Sequence, residues 1–195
     1  MTNGSMTMGF AIFSTAIGAC GVVWSVRGIA GVALPTVSER ATRARVARRY
    51  PEVREGSPPP DVKRAIDDIV ALLAGEPRDL RHVRLDAAAL PVFNRRVYDV
   101  ARTIAPGATL SYGEIAERLG DRMLARDVAQ ALSENPCPII VPCHRVLAAG
   151  GKIGGYSGPG GVRTKLRLLS IEGARSDGPP MLFDRLPWVT PQRRA

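Results

Sequence analysis

GFAIFSTAIGACGVVWSVRGIAGVAL, residues 9–34, decides between a membrane-anchored chain and a globular one. From Gly9 to Val26 there is no charged side chain over 18 positions, a length that a secretion leader or a bilayer-crossing helix would need. The pattern inside the stretch points elsewhere. No Lys or Arg precedes it, Gly18 and Gly21 interrupt it, and Phe10 and Ile12 alternate with Ala11 and Phe13 before the break at Ile17-Gly18. A second apolar run, Val22 to Val26, ends at Arg27-Gly28, and a third runs from Ile29 to Leu34. Short apolar runs separated by glycine turns predict a three-stranded meander buried on one or both faces, not a membrane span.

The rest of the chain agrees with a globular reading. Its 195 residues, 45% hydrophobic and 23% charged, suffice for one large domain or two small ones. Lys and Arg number 27 against 18 Asp and Glu, a net charge of +9 that favours a polyanionic partner, nucleic acid first. The positive excess is spread over the whole length, which predicts salt-sensitive binding without a dedicated basic arm. Three cysteines, Cys20, Cys137 and Cys143, are too few for a disulfide framework and point to a reducing, cytoplasmic setting.

Outward from the meander, Ser38 is placed to cap a helix reaching about Tyr50, rich in arginine at 40, 43, 45, 48 and 49. Such a run is either a solvated face or a phosphate-contacting one. Gly56 to Pro60 breaks the chain, and Asp61 opens a helix with a core stripe of Val62, Ala65, Ile66, Ile69, Val70 and Leu73. Residues 78–90 read as a strand leading into a linker, with a domain boundary near residue 88. Beyond it, Phe93, Val97 and Val100 form one apolar helix face stopped by Pro106-Gly107. Ser111 caps a helix with Ile115, Ala116 and Leu119, and a third helix from about Leu124 to Ser133 presents Val128, Ala131 and Leu132. This pair has helix-turn-helix spacing, a weak signal alone. Three segments follow: an α/β lobe over 1–88 with a small antiparallel sheet, a mainly α lobe over 89–174, and a loosely ordered tail over 175–195.

Chemistry concentrates in Asn135-Pro136-Cys137-Pro138-Ile139-Ile140-Val141-Pro142-Cys143-His144-Arg145-Val146. Three prolines put Cys143 on rigid, irregular backbone after a short extended piece. A thiol attacks only as thiolate and needs a base or cation nearby, as His144 and Arg145 would supply. Neighbouring side chains on extended backbone point apart, so His144 would act through a water. From the residues alone Cys143 is either a nucleophile or a buried structural thiol, while Cys20 and Cys137 read as small buried hydrophobes. His82, His144 and the cysteines lack the paired spacings of a zinc site, so no metal or other cofactor is predicted.

The run Pro142-Cys143-His144-Arg145-Val146, with Asn135-Pro136 before it and Gly154-Gly155-Tyr156-Ser157-Gly158 after it, resembles the methylated-DNA–protein-cysteine methyltransferases, the O6-alkylguanine-DNA alkyltransferases. The likeness covers roughly Phe93 to Gly173, with Ser111-Tyr112, Arg126, Asn135 and Glu172 in register, and extends weakly over the N-terminal part. It implies a ribonuclease-H-like α/β lobe packed on a helical lobe containing a winged helix-turn-helix. It also implies a single-turnover reaction on double-stranded DNA by a monomer that needs no cofactor. The protein would bind through the minor groove, evert an O6-alkylated guanine, with O4-alkylthymine as a further substrate, and move the alkyl group irreversibly to Cys143. A carbon inside the base stack is out of reach of in-line attack, which is why eversion is needed.

By the same resemblance Glu172 orients His144, His144 takes the thiol proton through water, and Tyr112 donates to guanine N3 as the base departs. Arg126 fills the vacated stack, with Ser111 and Tyr112 beside it on DNA. Val146, Gly154, Tyr156, Ser157 and Leu132 border the base, Lys165 supports the site, and Asn135 ties the second helix to the cysteine loop. Asp127 and Glu134 depart from the pattern by placing carboxylates where phosphates would approach. Arg122-Met123-Leu124 replaces the glycine and proline expected in the turn, and the loop after Ser157 is longer. Three rival readings stay open: a non-catalytic binder of alkylated bases, a helix-turn-helix regulator, and a cysteine hydrolase.

Overall fold

The computed structural model describes residues 8–174, so the tail expected after 174 lies outside them. The meander forms as read: β1 (Gly9–Thr15), β2 (Gly18–Ser25) and β3 (Gly28–Ala33) pair antiparallel in the order β1-β2-β3. Gly18 (φ +124°) and Gly28 (φ +132°) close the two turns in backbone that side-chain-bearing residues avoid. No helix among the described residues is long and apolar enough to cross a membrane.

The sheet is buried on both faces, which explains why its sequence lacks strict apolar–polar alternation. Val22 and Trp24 face the main core, while Val23 and Phe10 meet Val46 and Val53 in a smaller cluster. That second face seats α1 (Glu39–Arg49), whose first turn is capped by Ser38 Oγ accepting from Ala41 N at 3.2 Å. Two glycines make the seat. A Cβ on Gly21 would stand 2.9 Å from Val46, and one on Gly31 would overlap the Tyr50 hydroxyl. Helix α1 therefore lies close against bare backbone, fixed in position over the sheet.

Helix α2 (Pro60–Leu73) starts with proline at its first position, where no amide bond is lost. Val62, Ala65, Ile69, Leu72 and Leu73 are buried; Ile66 and Val70, assigned to the stripe from sequence, are half-buried, and Leu72 replaces them. The strand expected within 78–90 does not form. The segment touches the sheet at one parallel bridge, Ile29 with Leu85, through Ile29 N to Arg84 O and Asp86 N to Ile29 O. The Asp86 carboxylate then accepts from Arg27 and Ser25 at the turn before β3, and no further pairing follows among the described residues.

Helix α3 (Val92–Arg102) buries Asn94, Val97, Tyr98 and Ala101, a face rotated from the expected Phe93-Val97-Val100; Phe93 and Val100 flank it, half-buried. The shift places Tyr98 Oη to donate to Ala131 O at 2.8 Å, a polar contact that hydrophobic periodicity ignores. A two-residue strand, β4 (Leu110–Ser111), leads into α4 (Tyr112–Arg118), entered through a full capping box between Ser111 and Glu114. Arg122–Leu124 makes a single 3-10 turn capped by Asp121 Oδ1 accepting from Met123 N, which supplies the bend without glycine or proline. Helices α5 (Ala125–Ser133) and α6 (Val162–Ile171) complete the helical part.

One apolar cluster runs unbroken from Trp24, Ile29 and Leu34 to Val97, Leu132 and Leu168. Val32 N donates to Pro136 O at 2.8 Å, so the last strand also bonds the loop that carries the reactive-looking cysteine.

Gly28→Ala should lower unfolding stability by about 2 kcal/mol, because φ is positive and the new Cβ would stand 2.5 Å from the Arg84 carbonyl oxygen. A urea titration reads this as a lower midpoint with unchanged slope.

Candidate functional site

Between α5 and residue 146 the chain folds on itself rather than extending. Val141 N bonds Cys137 O, and buried Ile139 holds φ +76°, costly for a β-branched residue and sustained only by surrounding packing. Cys143–Arg145 then forms one 3-10 turn. The irregular backbone expected around Cys143 is thus a tight turn followed by a short helix. Next, β5 (Val146–Leu147) pairs in parallel with β4, Leu110 opposite Val146 and Ser111 opposite Leu147. This pairing, too short to leave a sequence signal, ties the start of α4 to the cysteine turn.

Asn135 organises the turn. Its Nδ2 donates to Val141 O at 2.9 Å and to Cys143 Sγ at 3.4 Å, while its Oδ1 accepts from Cys137 N at 2.9 Å. Cys143 is 8% exposed, and burial pushes its thiol up while the Asn135 donor works in the opposite direction. Cys20 and Cys137, also free and buried, are pushed up to about 11 and about 12 by desolvation. They fit the inert role read for them.

His144 is fully buried, with Nε2 2.9 Å from Glu172 Oε1 and with Nδ1 lacking any protein partner. Glu172, at the C-cap of α6, also receives two bonds from Arg145, Nε to Oε2 and Nη2 to Oε1, each 2.8 Å. Desolvation opposes its charge, yet the His144 and Arg145 donors prevail and hold its carboxyl down to about 2. Burial keeps His144 below its usual range, so the imidazole is neutral, with Nε2–H directed at the carboxylate. Arg145 was read only as a possible cation for the thiol. It grips Glu172 and, through Nη1, the carbonyl of Ile104 at 2.5 Å, a role 27 positions away that local sequence does not announce.

Lys165 is wholly buried, its Nζ donating to Val146 O (2.6 Å), Ile153 O (2.5 Å) and Gly155 O (3.3 Å). Desolvation lowers it to about 8. The ammonium thereby clasps both sides of the loop 146–155, and one lone pair of the Val146 carbonyl, expected to face a base, is already used. Tyr112, first residue of α4, packs its ring 3.6 Å from where a Gly154 Cβ would stand and lies 6.0 Å from the Lys165 ammonium. Burial raises its phenol.

Cys143 opens into a pocket of about 300 Å³ lined also by Asn135, Pro138, Tyr156, Ser157 and Gly158. Tyr156 Oη is buried without a protein partner. Gly158 has no side chain because a Cβ would collide with the Tyr156 ring at 2.6 Å. Sequence reasoning missed the outer wall: Val32, Leu34, Arg45 and Arg49 come from β3, the residue after it, and α1. Arg126 is exposed on α5, Ser111 serves as helix cap, and Leu132 is buried in the core, away from the pocket lining. Glu134 spends its oxygens on Asn94 and Gln130, and Asp127 is exposed in the first turn of α5. No cluster of three or more His, Cys, Asp or Glu suited to a metal ion occurs among the described residues.

Residues 92–174 match the family model for the DNA-binding domain of 6-O-methylguanine DNA methyltransferase. The chain is 37% identical over 158 residues to the methylated-DNA–protein-cysteine methyltransferase of Methanothermobacter thermautotrophicus, covering 81% of each. It is 43% identical over 120 residues to that of Mycobacterium tuberculosis, covering 62% of this chain and 70% of the relative. Among solved structures, the M. tuberculosis O6-methylguanine methyltransferase superposes with a TM-score of 0.67 at 31% identity, covering 90% of this chain and 98% of that one. The OGT of the same organism in complex with DNA gives 0.65 at 32% identity, over 86% and 96%.

Acid should weaken the fold through Glu172 and His144 together. Glu172 ionises far below its unfolded value, so its contribution is complete above about pH 4.5 and is lost as pH falls toward 2. His144 is depressed too, so protonating it below its ordinary value of 6.5 costs stability in the same direction. Glu172→Gln should cost about 3 kcal/mol at pH 7 by leaving Arg145 buried without its partner, and the gap should narrow by pH 3. Urea midpoints of both proteins at the two pH values check this.

Proposed function

Because this chain belongs to the methylated-DNA–protein-cysteine methyltransferase family, we propose that it repairs DNA by moving an alkyl group from O6 of guanine irreversibly onto Cys143, one event per molecule. The observation that carries the reading is the buried thiol at the base of a pocket, bonded by Asn135 and next in the chain to an imidazole held by a carboxylate. A transcription regulator needs no such thiol. A hydrolase would need to release its acyl group by turnover.

The residues divide the work as follows. His144 Nε2–H is committed to Glu172, so Nδ1 is the basic atom and accepts the thiol proton through a bridging water. Glu172 balances the resulting imidazolium, and Arg145 keeps Glu172 in place. The thiolate sulfur attacks the alkyl carbon in line, a C–S bond forms, and the C–O6 bond breaks with its electron pair going to the purine. Tyr112 donates its phenolic proton at N3 of the departing base, and the oriented donors lower the charge-separation barrier. Tyr156 Oη, unpartnered and buried, meets the incoming base, with Ser157 at its O6. Lys165 holds the loop that carries them. Leu132 supports the wall from the core.

For DNA, we read α4 and α5 as the helix-turn-helix, the exposed Arg126 filling the space left by the everted base and Ser111 and Tyr112 at the groove. Double-stranded DNA is the partner and the minor groove the route of entry. Support comes from the charge of +9 and from the family model over 92–174. We assign residues 1–88 to a ribonuclease-H-like lobe and 89–174 to a winged helical lobe.

Incubation of the full chain with O6-benzylguanine, followed by intact-mass measurement, should show one benzyl adduct per molecule, mapped to Cys143, and one equivalent of free guanine. Cys143→Ala should show none. His144→Ala should slow labelling by roughly 100-fold or more. Release of several guanines per protein refutes single-turnover transfer.

A further inference from the structure

Five arginines on α1 have no part in the reaction above, and they are not equivalent. Arg43 is neutralised by Glu39 and Glu55 at 2.8 and 2.9 Å. Arg45 and Arg49, one helical turn apart, line the Cys143 pocket and have no carboxylate within salt-bridge distance among the described residues. Glu134, on the same pocket wall, gives its oxygens to Asn94 and Gln130 instead. Like charges at this spacing destabilise a helix by a few tenths of a kcal/mol. Burial and the neighbouring guanidiniums of Arg49 and Arg48 pull Arg45 below its usual range.

Their position is fixed rather than incidental. Helix α1 rests on the bare backbone of Gly21 and Gly31, and Arg49 lies 5.8 Å from the ring of Tyr50, which packs on Gly31. Strand β3 in turn bonds the cysteine turn through Val32 N and Pro136 O. The two guanidiniums therefore stand at a set place relative to Cys143.

A base that enters the pocket stays joined to its sugar, so its two flanking phosphates must stop at the pocket mouth. We propose that Arg45 and Arg49 bind the backbone phosphates flanking the everted nucleotide, making α1 a second DNA-contacting element opposite the helix pair. Guanidinium matches phosphate in geometry as well as charge. The proposal rests on the alkyl-transfer reading, and it identifies the long basic run as a phosphate grip at these two positions only. Substrate is then held from both lobes, which offsets the repulsion expected from Asp127.

The test compares two substrates on the full-length protein: duplex DNA carrying O6-methylguanine, which has phosphates, and free O6-benzylguanine, which has none. In the double variant Arg45→Gln/Arg49→Gln the ratio of duplex rate to free-base rate should fall about tenfold, and the slope of log affinity against log salt should drop by about two. Arg45→Lys/Arg49→Lys, which keeps the charge but not the planar fork, should restore the salt slope and only part of the ratio. Arg40→Gln/Arg64→Gln, which removes the same charge from exposed positions outside the pocket, should leave the ratio near wild type. An unchanged ratio in the glutamine variant, or an equal fall in the charge-matched control, overturns the proposal. If the wild-type protein labels with neither substrate, the alkyl-transfer reading itself has failed, a distinct result.

Discussion

The carboxylate of Glu172 is almost fully buried and must be charged for the rest of the site to hold its form. Removing a carboxylate from water costs several kcal/mol, and only dense hydrogen bonding offsets that. Here Arg145 supplies two parallel bonds and His144 a third, while a further Arg145 nitrogen reaches the carbonyl at the end of α3. One anion thus joins α6, the cysteine turn and the residues after α3. It also fixes the imidazole tautomer, because Nε2 carries the proton and Nδ1 is left unprotonated. Without the carboxylate the guanidinium would be an uncompensated buried cation.

The remaining polar groups follow the same logic of complete commitment. Asn135 uses both amide hydrogens and its oxygen within eight residues, and Lys165 satisfies its three donors on backbone carbonyls. Such networks restrict the loops to a single arrangement at the cost of desolvation. Four buried side-chain atoms among the described residues stand apart without protein partners: Trp24 Nε1, Arg102 Nε, His144 Nδ1 and Tyr156 Oη. The last two belong to side chains proposed to act in the reaction. Orphaned polar atoms are rare in packed interiors, and each calls for an explanation.

Much of this was legible in the sequence, and what was not has identifiable causes. The meander could be read because glycine turns punctuate three apolar runs, and α4 because Ser111 stands as a cap ahead of Ile115, Ala116 and Leu119. The cysteine turn stood out as Pro142-Cys143-His144-Arg145. The strand over 78–90 was misread because apolar content says nothing about whether a neighbouring edge continues to pair, and here the pairing stops at one bridge. The face of α3 was misplaced because Tyr98 is buried for a hydrogen bond. Arg145 with Glu172, and α1 with the pocket, are contacts between residues 27 and about 100 positions apart. Spacing along the chain cannot show them.

The bond from Val32 to Pro136 and the apolar cluster that passes from Trp24 to Leu168 bear on how the molecule comes apart. A boundary drawn in the eighties separates two styles of secondary structure, but the cluster crosses it. Cooperative units follow shared interior, not changes in element type. Both halves should melt in one transition, and the helical half expressed alone would lose the strand that covers Cys137, whose thiol lies 3.9 Å from the carbonyl oxygen of Ile29. Evolution could then exchange surface loops freely in this chain, but would have to inherit the sheet and the cysteine turn together.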